Sequence, residues 1–247
     1  YEDITEELVK SEDAANDSSN LPDLARANLL ATALLEGGPE DEDDRPHWLC
    51  EIASSLDDAD PEDLLFEINS ARSDAEIPLV ASVSELEAAL FEHRSLLCSS
   101  LRSYLHSLPL EDRVEVLTKA IELATDDGDD GGPPLLDELV DAYEVDIQPK
   151  LSEMQEAVEA KIEEVRRAAG RGASDIVLST EISKLNVLVK TWDRYAQPIQ
   201  VSAKSRGLTH EASKEIAIKV RSLAIDLVNE HGKVELAKHI TATLEES

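Results

Sequence analysis

The stretch PLLDELVDAYEVDIQPKLSEMQEAVEAKIEEVRRAAG, residues 134–170, decides the fold. Its apolar residues Leu136, Leu139, Val140, Tyr143, Ile147, Leu151, Met154, Val158, Ile162 and Val165 recur at helical spacing. That spacing lines one stripe of an α-helix, whereas a half-buried strand needs strict alternation. Pro149 removes an amide donor inside the pattern, so a kink, or two helices meeting there, is expected. The same period continues in Ile182, Leu185, Leu188, Val189, Trp192, Ala196 and Ile199, interrupted by Pro198 and closed by Gly207. Thr209 reads as the cap of a further helix carrying Ile216, Val220, Leu223, Ala224, Leu227 and Val228, which Gly232 ends. A short helix from Val234 to Leu244 completes the chain. Long antiparallel helices joined by short glycine turns make a bundle. No internal repeat of tetratricopeptide or ankyrin length supports a solenoid.

Upstream the elements shorten. Asn20 is a plausible cap for a first helix, with Pro22 in its first turn and Gly37 as its stop. A second helix spans roughly His47 to Leu56. A third starts with Asp60 as cap and Pro61 at the first helical position, placing Leu64, Leu65 and Ile68 together. Ser82 and Glu85 form a capping box for a helix over Ser84 to Ser107, whose stripe is Leu86, Leu90, Leu97, Leu101, Tyr104 and Leu108. Pro109 opens a fifth, to about Thr125, with Val114, Leu117, Ile121 and Ala124 inward. The fold class is therefore all-α: a bundle of long antiparallel helices preceded by a subdomain of shorter acidic helices. The expected division is a flexible acidic tail over 1–20, an acidic helical subdomain over 21–132 and a long-helix bundle over 133–247.

Charge follows the same division. Of 247 residues with a net charge of −31, residues 1–146 hold 39 Asp and Glu against 8 Lys and Arg, while 147–247 hold 15 of each. An acidic body repels phosphate backbones and anionic lipid, so nucleic acid and membrane surfaces are poor partners. Aromatic residues at 3% give no stacking platform for bases or sugars. No apolar run reaches the roughly 20 residues of a membrane span. The acidic start lacks a signal peptide's basic and apolar regions, and the chain reads as a piece of a longer protein. Cys50 and Cys98 read as buried free thiols in a reducing cytoplasm.

Candidate chemistry is sparse. Taking Asp127 as position one of a calcium loop puts Asp129 at three and Glu138 at twelve, but Gly131 occupies five and Pro133 and Pro134 occupy seven and eight. An EF-hand needs a ligand at five, so the loop reads as a solvated linker, with Asp127, Asp129 and Glu138 as weak cation candidates. His47 and Cys50 lie one turn apart without a second ligand pair to complete a metal site. His210 and Glu211 begin like a zinc-protease helix, but Lys214 stands where the second histidine belongs. No nucleophile elbow, P-loop or dinucleotide fingerprint occurs, and no cofactor is called for.

Between Arg166 and Arg221, 11 basic residues meet 5 acids. These are either ordinary solvated helix faces or a basic face that receives the acidic half or an acidic partner. In the second case salt loosens the association. Pro198 frees the carbonyl of Arg194, which Asp193, Gln197 or Gln200 could satisfy or present to a partner; the alternative is a simple kink. The interaction candidates are Trp192, Arg194, Gln197, Gln200, Lys204 and Arg206.

Three segments, Leu135 to Val145, Trp192 to Val201 with Ser205-Arg206-Gly207-Leu208, and Arg221 to His231, resemble the helical middle region of uncharacterised large bacterial multidomain proteins. Some of those carry a J-domain-like segment near the N-terminus. The resemblance covers about residues 134–231 and implies a bacterial, cytoplasmic, all-helical module. It supplies no catalytic residues, and the His-Pro-Asp tripeptide of a functional J-domain is absent. The expected function is a non-enzymatic scaffold or interaction module whose partner is another protein or other domains of the same chain. The alternatives are a regulatory or co-chaperone-type module, and an enzyme whose site the sequence does not reveal.

Overall fold

Local capping chemistry starts several helices where the sequence places them. The Asp60 carboxylate accepts the amides of Glu62 and Asp63, at 2.8 and 3.0 Å. Ser82 Oγ accepts the Glu85 amide at 3.3 Å, and the Glu85 carboxylate reaches back to the Ala81 amide at 3.2 Å. These bonds satisfy donors that a helix N-terminus leaves open. The computed structural model describes residues 22–39, 41–75 and 77–245. The tail expected over 1–20, with Asn20, lies outside the described residues.

The described residues form nine α-helices and no strand. They are α1 (Asp23–Glu36), α2 (Arg45–Asp57), α3 (Pro61–Asp74), α4 (Val83–Ser107), α5 (Leu110–Thr125), α6 (Pro134–Gly170), α7 (Asp175–Ser205), α8 (Glu211–Asn229) and α9 (Val234–Glu245). A 3-10 turn, Glu42–Asp44, leads into α2. The chain is an all-α protein.

Some helix boundaries differ from expectation. Pro22 and Pro109 stand at the N-cap with ψ of 145° and 147°, one residue before the helical backbone begins. His210, not Thr209, occupies the N-cap of α8, and its extended backbone (φ −77°, ψ 99°) turns the chain into the helix. α6 runs unbroken through Pro149 and α7 through Pro198, so neither proline divides its helix. Pro149 lies on the exposed side of α6, where the carbonyl it leaves without a donor is open to solvent. Pro198 is buried, and the packing around α7 holds the helix through it.

Two compact units divide between Ala142 and Tyr143, inside α6. In the first unit α1 packs on α2 and α4, α2 on α5, and α4 on α3 and α5. Leu30, Leu34, Leu49, Ile52, Leu101, Leu117 and Ile121 are almost completely buried there. Leu135, Leu136, Leu139 and Val140, from the start of α6, are also buried. Along α4 the stripe is Leu86, Leu97, Leu101 and Leu105, while Leu90, Tyr104 and Leu108 are half-buried. α5 ends in three successive left-handed residues, Asp126, Asp127 and Gly128, with φ of 47°, 56° and 82°. Thr125 holds this turn: its buried hydroxyl donates to the Ile121 carbonyl at 2.6 Å and accepts the Gly128 amide at 2.9 Å.

The second unit is an up-down-up-down bundle, and its cross-links give the directions. From α6 to α7, Tyr143 bonds Tyr195, Leu151 accepts from Trp192 and Lys161 pairs with Glu181, so the helices are antiparallel. From α6 to α8, Glu159 pairs with Lys219 and Arg166 with Asp226, so those two are parallel. α9 packs on α7 and α8. Along α7, Leu178, Ile182, Leu185, Val189, Trp192, Ala196, Ile199 and Ala203 are buried at alternating spacings of four and three. This is the spacing with which nearly aligned helices interlock their side chains. α6 and α7 end in paired turn bonds: the Gly172 and Ala173 amides donate to the Ala169 and Ala168 carbonyls, and the Gly207 and Leu208 amides to those of Lys204 and Ala203. Gly172 and Gly207 have φ of 74° and 69°, the left-handed backbone such helix ends require.

Candidate functional site

The interaction residues named from sequence converge only in part. Trp192 is 2% exposed, and its indole Nε1 donates to the Leu151 carbonyl at 3.2 Å, so the ring belongs to the core. Gln200 is half-buried; its amide donates to Asp193 Oδ1 at 3.0 Å and to Ser213 Oγ at 2.7 Å. His210 completes the cluster. Its Nδ1 lies 2.7 Å from Ser213 Oγ, and its ring stacks on Trp192 with centroids 6.1 Å apart and planes inclined by 11°. Arg194, Lys204 and Arg206 are exposed and Gln197 is half-buried.

The result is a relay from α7 to α8: Asp193, Gln200, Ser213, His210. Since Ser213 Oγ accepts the Gln200 amide, its own hydrogen is available to a neutral His210 through Nδ1. Sequence reading flagged Asp193 and Gln200 but weighed His210 only as the start of a zinc-protease pattern that Lys214 breaks. The i, i+3 spacing of His210 and Ser213 at a helix start was the signal available. A serine beside a histidine is also the beginning of a nucleophile–base pair. Here the serine oxygen is held from two sides and the imidazole is covered by Trp192, an arrangement suited to fixing the start of α8.

Burial pushes the His210 pKa below its ordinary 6.5, while the Glu144 carboxylate works in the other direction. The neutral ring therefore favours the folded state. Its contribution to stability is complete above pH 6.5 and is lost as pH falls from there through the depressed folded value. Glu159, lowered by Lys219, and Glu181, lowered by Lys184 and then Lys161, act in a different window, losing their contributions only as pH falls below 4.5. In urea unfolding measured against pH, His210→Gln is expected to remove the part of the stability change just below pH 6.5 and leave the carboxylate part. An unchanged profile would overturn this assignment.

The acidic-loop candidates occupy different places. Asp127 lies in the left-handed turn and Asp129 follows it, its amide bonded to the Asp126 carbonyl at 3.2 Å. Glu138 is on α6, 3.4 Å from Arg94 and hydrogen-bonded to Cys98. Among the described residues, no group of three or more His, Cys, Asp or Glu could hold a metal ion. Cys50 and Cys98 are free and half-buried rather than fully buried, and burial pushes both thiols up.

Sequence reading missed a cleft of about 560 Å³ in the first unit. Asp43, Glu122, Asp126 and Asp127 line it with His47, Lys119 and the apolar Pro46 and Leu123. Lys119 is paired with Glu115 at 2.7 Å. Carboxylates outnumber cations there, so the cleft's field favours cationic groups over anionic ones.

Part of the basic stretch of the second unit is held in ion pairs. Arg166 pairs with Glu163 and Asp226, Lys184 with Glu181, Lys214 with Glu211, and Lys219 with Glu159 and Glu215. Glu159, Glu163 and Asp226 lie outside residues 166–221, which is why the window looked basic in sequence. No helix among the described residues is long and apolar enough to cross a membrane. Comparison with protein-family models, with curated proteins and with solved structures finds no match.

Proposed function

We propose that the chain is a non-enzymatic helical interaction module of a larger bacterial cytoplasmic protein, engaging another protein or other domains of the same chain. The observation that carries this reading is large apolar surface held on ordered helices. Phe66 is 76% exposed, Phe91 71% and Leu96 70%. Scattered aliphatic exposure is ordinary, whereas aromatic residues, phenylalanine among them, are enriched at the cores of protein interfaces. The strongest polar constellation, by contrast, is internal: Gln200 and Ser213 spend their hydrogen bonds on each other and on neighbouring side chains. The net charge of −31 disfavours nucleic acid as the partner.

Cross-linking of the intact chain in bacterial extract, followed by mass spectrometry, tests the reading. The expected result is a defined set of cross-links from residues of this chain to one protein or one neighbouring domain, displaced by excess purified chain. Cross-links scattered over abundant proteins, with no displacement, would overturn it.

A further inference from the structure

We infer that the helical hairpin α3–α4 is a docking site for a basic amphipathic helix of a partner protein; this rests on the interaction-module reading and names the partner's chemistry. Every described side chain of α3 is half-buried or exposed, so this helix contributes no fully buried anchor to its own unit. Five large apolar residues are exposed between positions 66 and 96: Phe66, Ile77, Leu79, Phe91 and Leu96. Phe66 and Phe91 stand eight residues from the facing ends of α3 and α4, at equal distances along the helices from the connecting loop.

The part of that loop from residue 77 to 82 is tied to the helices on either side. The Asn69 side chain brackets Val80, donating to its carbonyl at 3.1 Å and accepting its amide at 2.8 Å. Arg72 Nε donates to the Pro78 carbonyl, and the Ser82–Glu85 capping box fixes the start of α4. A hairpin held in this way gives up little conformational freedom when it binds.

Charge selects the occupant. Exposed Glu62 and Asp63 stand one helical turn before Phe66 and exposed Glu87 one turn before Phe91, and exposed Glu67 and Glu92 follow the two rings in sequence. The hairpin's Arg72 is tied to Pro78, and Arg94 lies against Glu138. A second copy of the chain would bring carboxylates against carboxylates, and residues 1–20, with seven acids and one lysine, meet the same repulsion. Anionic lipid is repelled likewise. A helix with apolar residues at i, i+3, i+4 and i+7 and lysine or arginine on its flanks satisfies both the phenylalanines and the carboxylates.

The test uses the intact chain and three synthetic 20-residue peptides: a Lys/Leu amphipathic helix, a scramble of the same composition without a helical apolar face, and a Glu/Leu amphipathic helix. Titration calorimetry at low salt is expected to show the Lys/Leu helix binding at least tenfold more tightly than either control, about 1.4 kcal/mol. Phe66→Ser with Phe91→Ser is expected to remove at least that factor while circular dichroism stays unchanged. Both rings are exposed, so folding survives the change. Equal binding of the scramble, or full binding by the double variant, overturns the docking site. Binding that fails here while the cross-linking experiment returns a defined partner removes only the hairpin; failure of both removes the interaction-module reading as well.

Discussion

Trp192→Ala is expected to cost about 3–5 kcal/mol of unfolding free energy, read from the urea midpoint by far-ultraviolet circular dichroism. The ring is 2% exposed between α6 and α7. Truncation removes its apolar contacts and leaves a cavity that neighbouring helices fill only partly. It also removes the donor to the Leu151 carbonyl and the surface against which His210 stacks. Trp192→Phe keeps much of the ring and loses the Nε1 donor, so a smaller cost, about 1–2 kcal/mol, is expected. The two variants separate volume from hydrogen bonding. An unchanged midpoint for Trp192→Ala would place the ring outside the core.

The position of Trp192 also shows what was legible in the sequence. Its burial follows from a period: with Leu178, Ile182, Leu185 and Val189 it continues one stripe, and period is a property of the sequence itself. The caps at Asp60 and Ser82 were legible for the same reason, since side chain and amide are only two or three residues apart. At Pro149 and Pro198 the sequence left a kink and a break as alternatives, and an exposed face at one and buried packing at the other keep the helix continuous. The pairing of Lys219 and Arg166 was not legible, because Glu159 and Asp226 reach them from about 60 residues away in sequence. Exposure was the least legible. Phe66 and Phe91 fall outside the apolar stripes of their helices, and only the packing of α3 and α4 shows how far they are exposed. The His210 relay was half legible: Asp193 and Gln200 stood out beside Pro198, but Ser213 joins them only when α8 turns back along α7.

Leu185→Asp is expected to abolish cooperative unfolding of the second unit, whereas Val187→Asp, two residues along the same helix, is expected to change stability by no more than about 0.5 kcal/mol. Leu185 is completely buried in the α7 seam and Val187 is 64% exposed. Both substitutions exchange an aliphatic residue for an aspartate; the leucine change loses more helix propensity, but by less than about 0.7 kcal/mol, so burial dominates the difference. At position 185 the change removes a buried leucine, about 2–5 kcal/mol, and puts an unpaired carboxylate where no water reaches it. Together these approach the whole stability of a typical domain, about 5–15 kcal/mol. The carboxylate escapes part of the penalty by taking up a proton, so the damage should ease as pH falls toward 5, opposite in sign to the His210 contribution. Thermal melts followed by tryptophan fluorescence, with Trp192 as the reporter inside this unit, distinguish the cases. A sharp Leu185→Asp transition near that of the unmodified chain at pH 7 would mean that α7 does not carry the seam of the bundle.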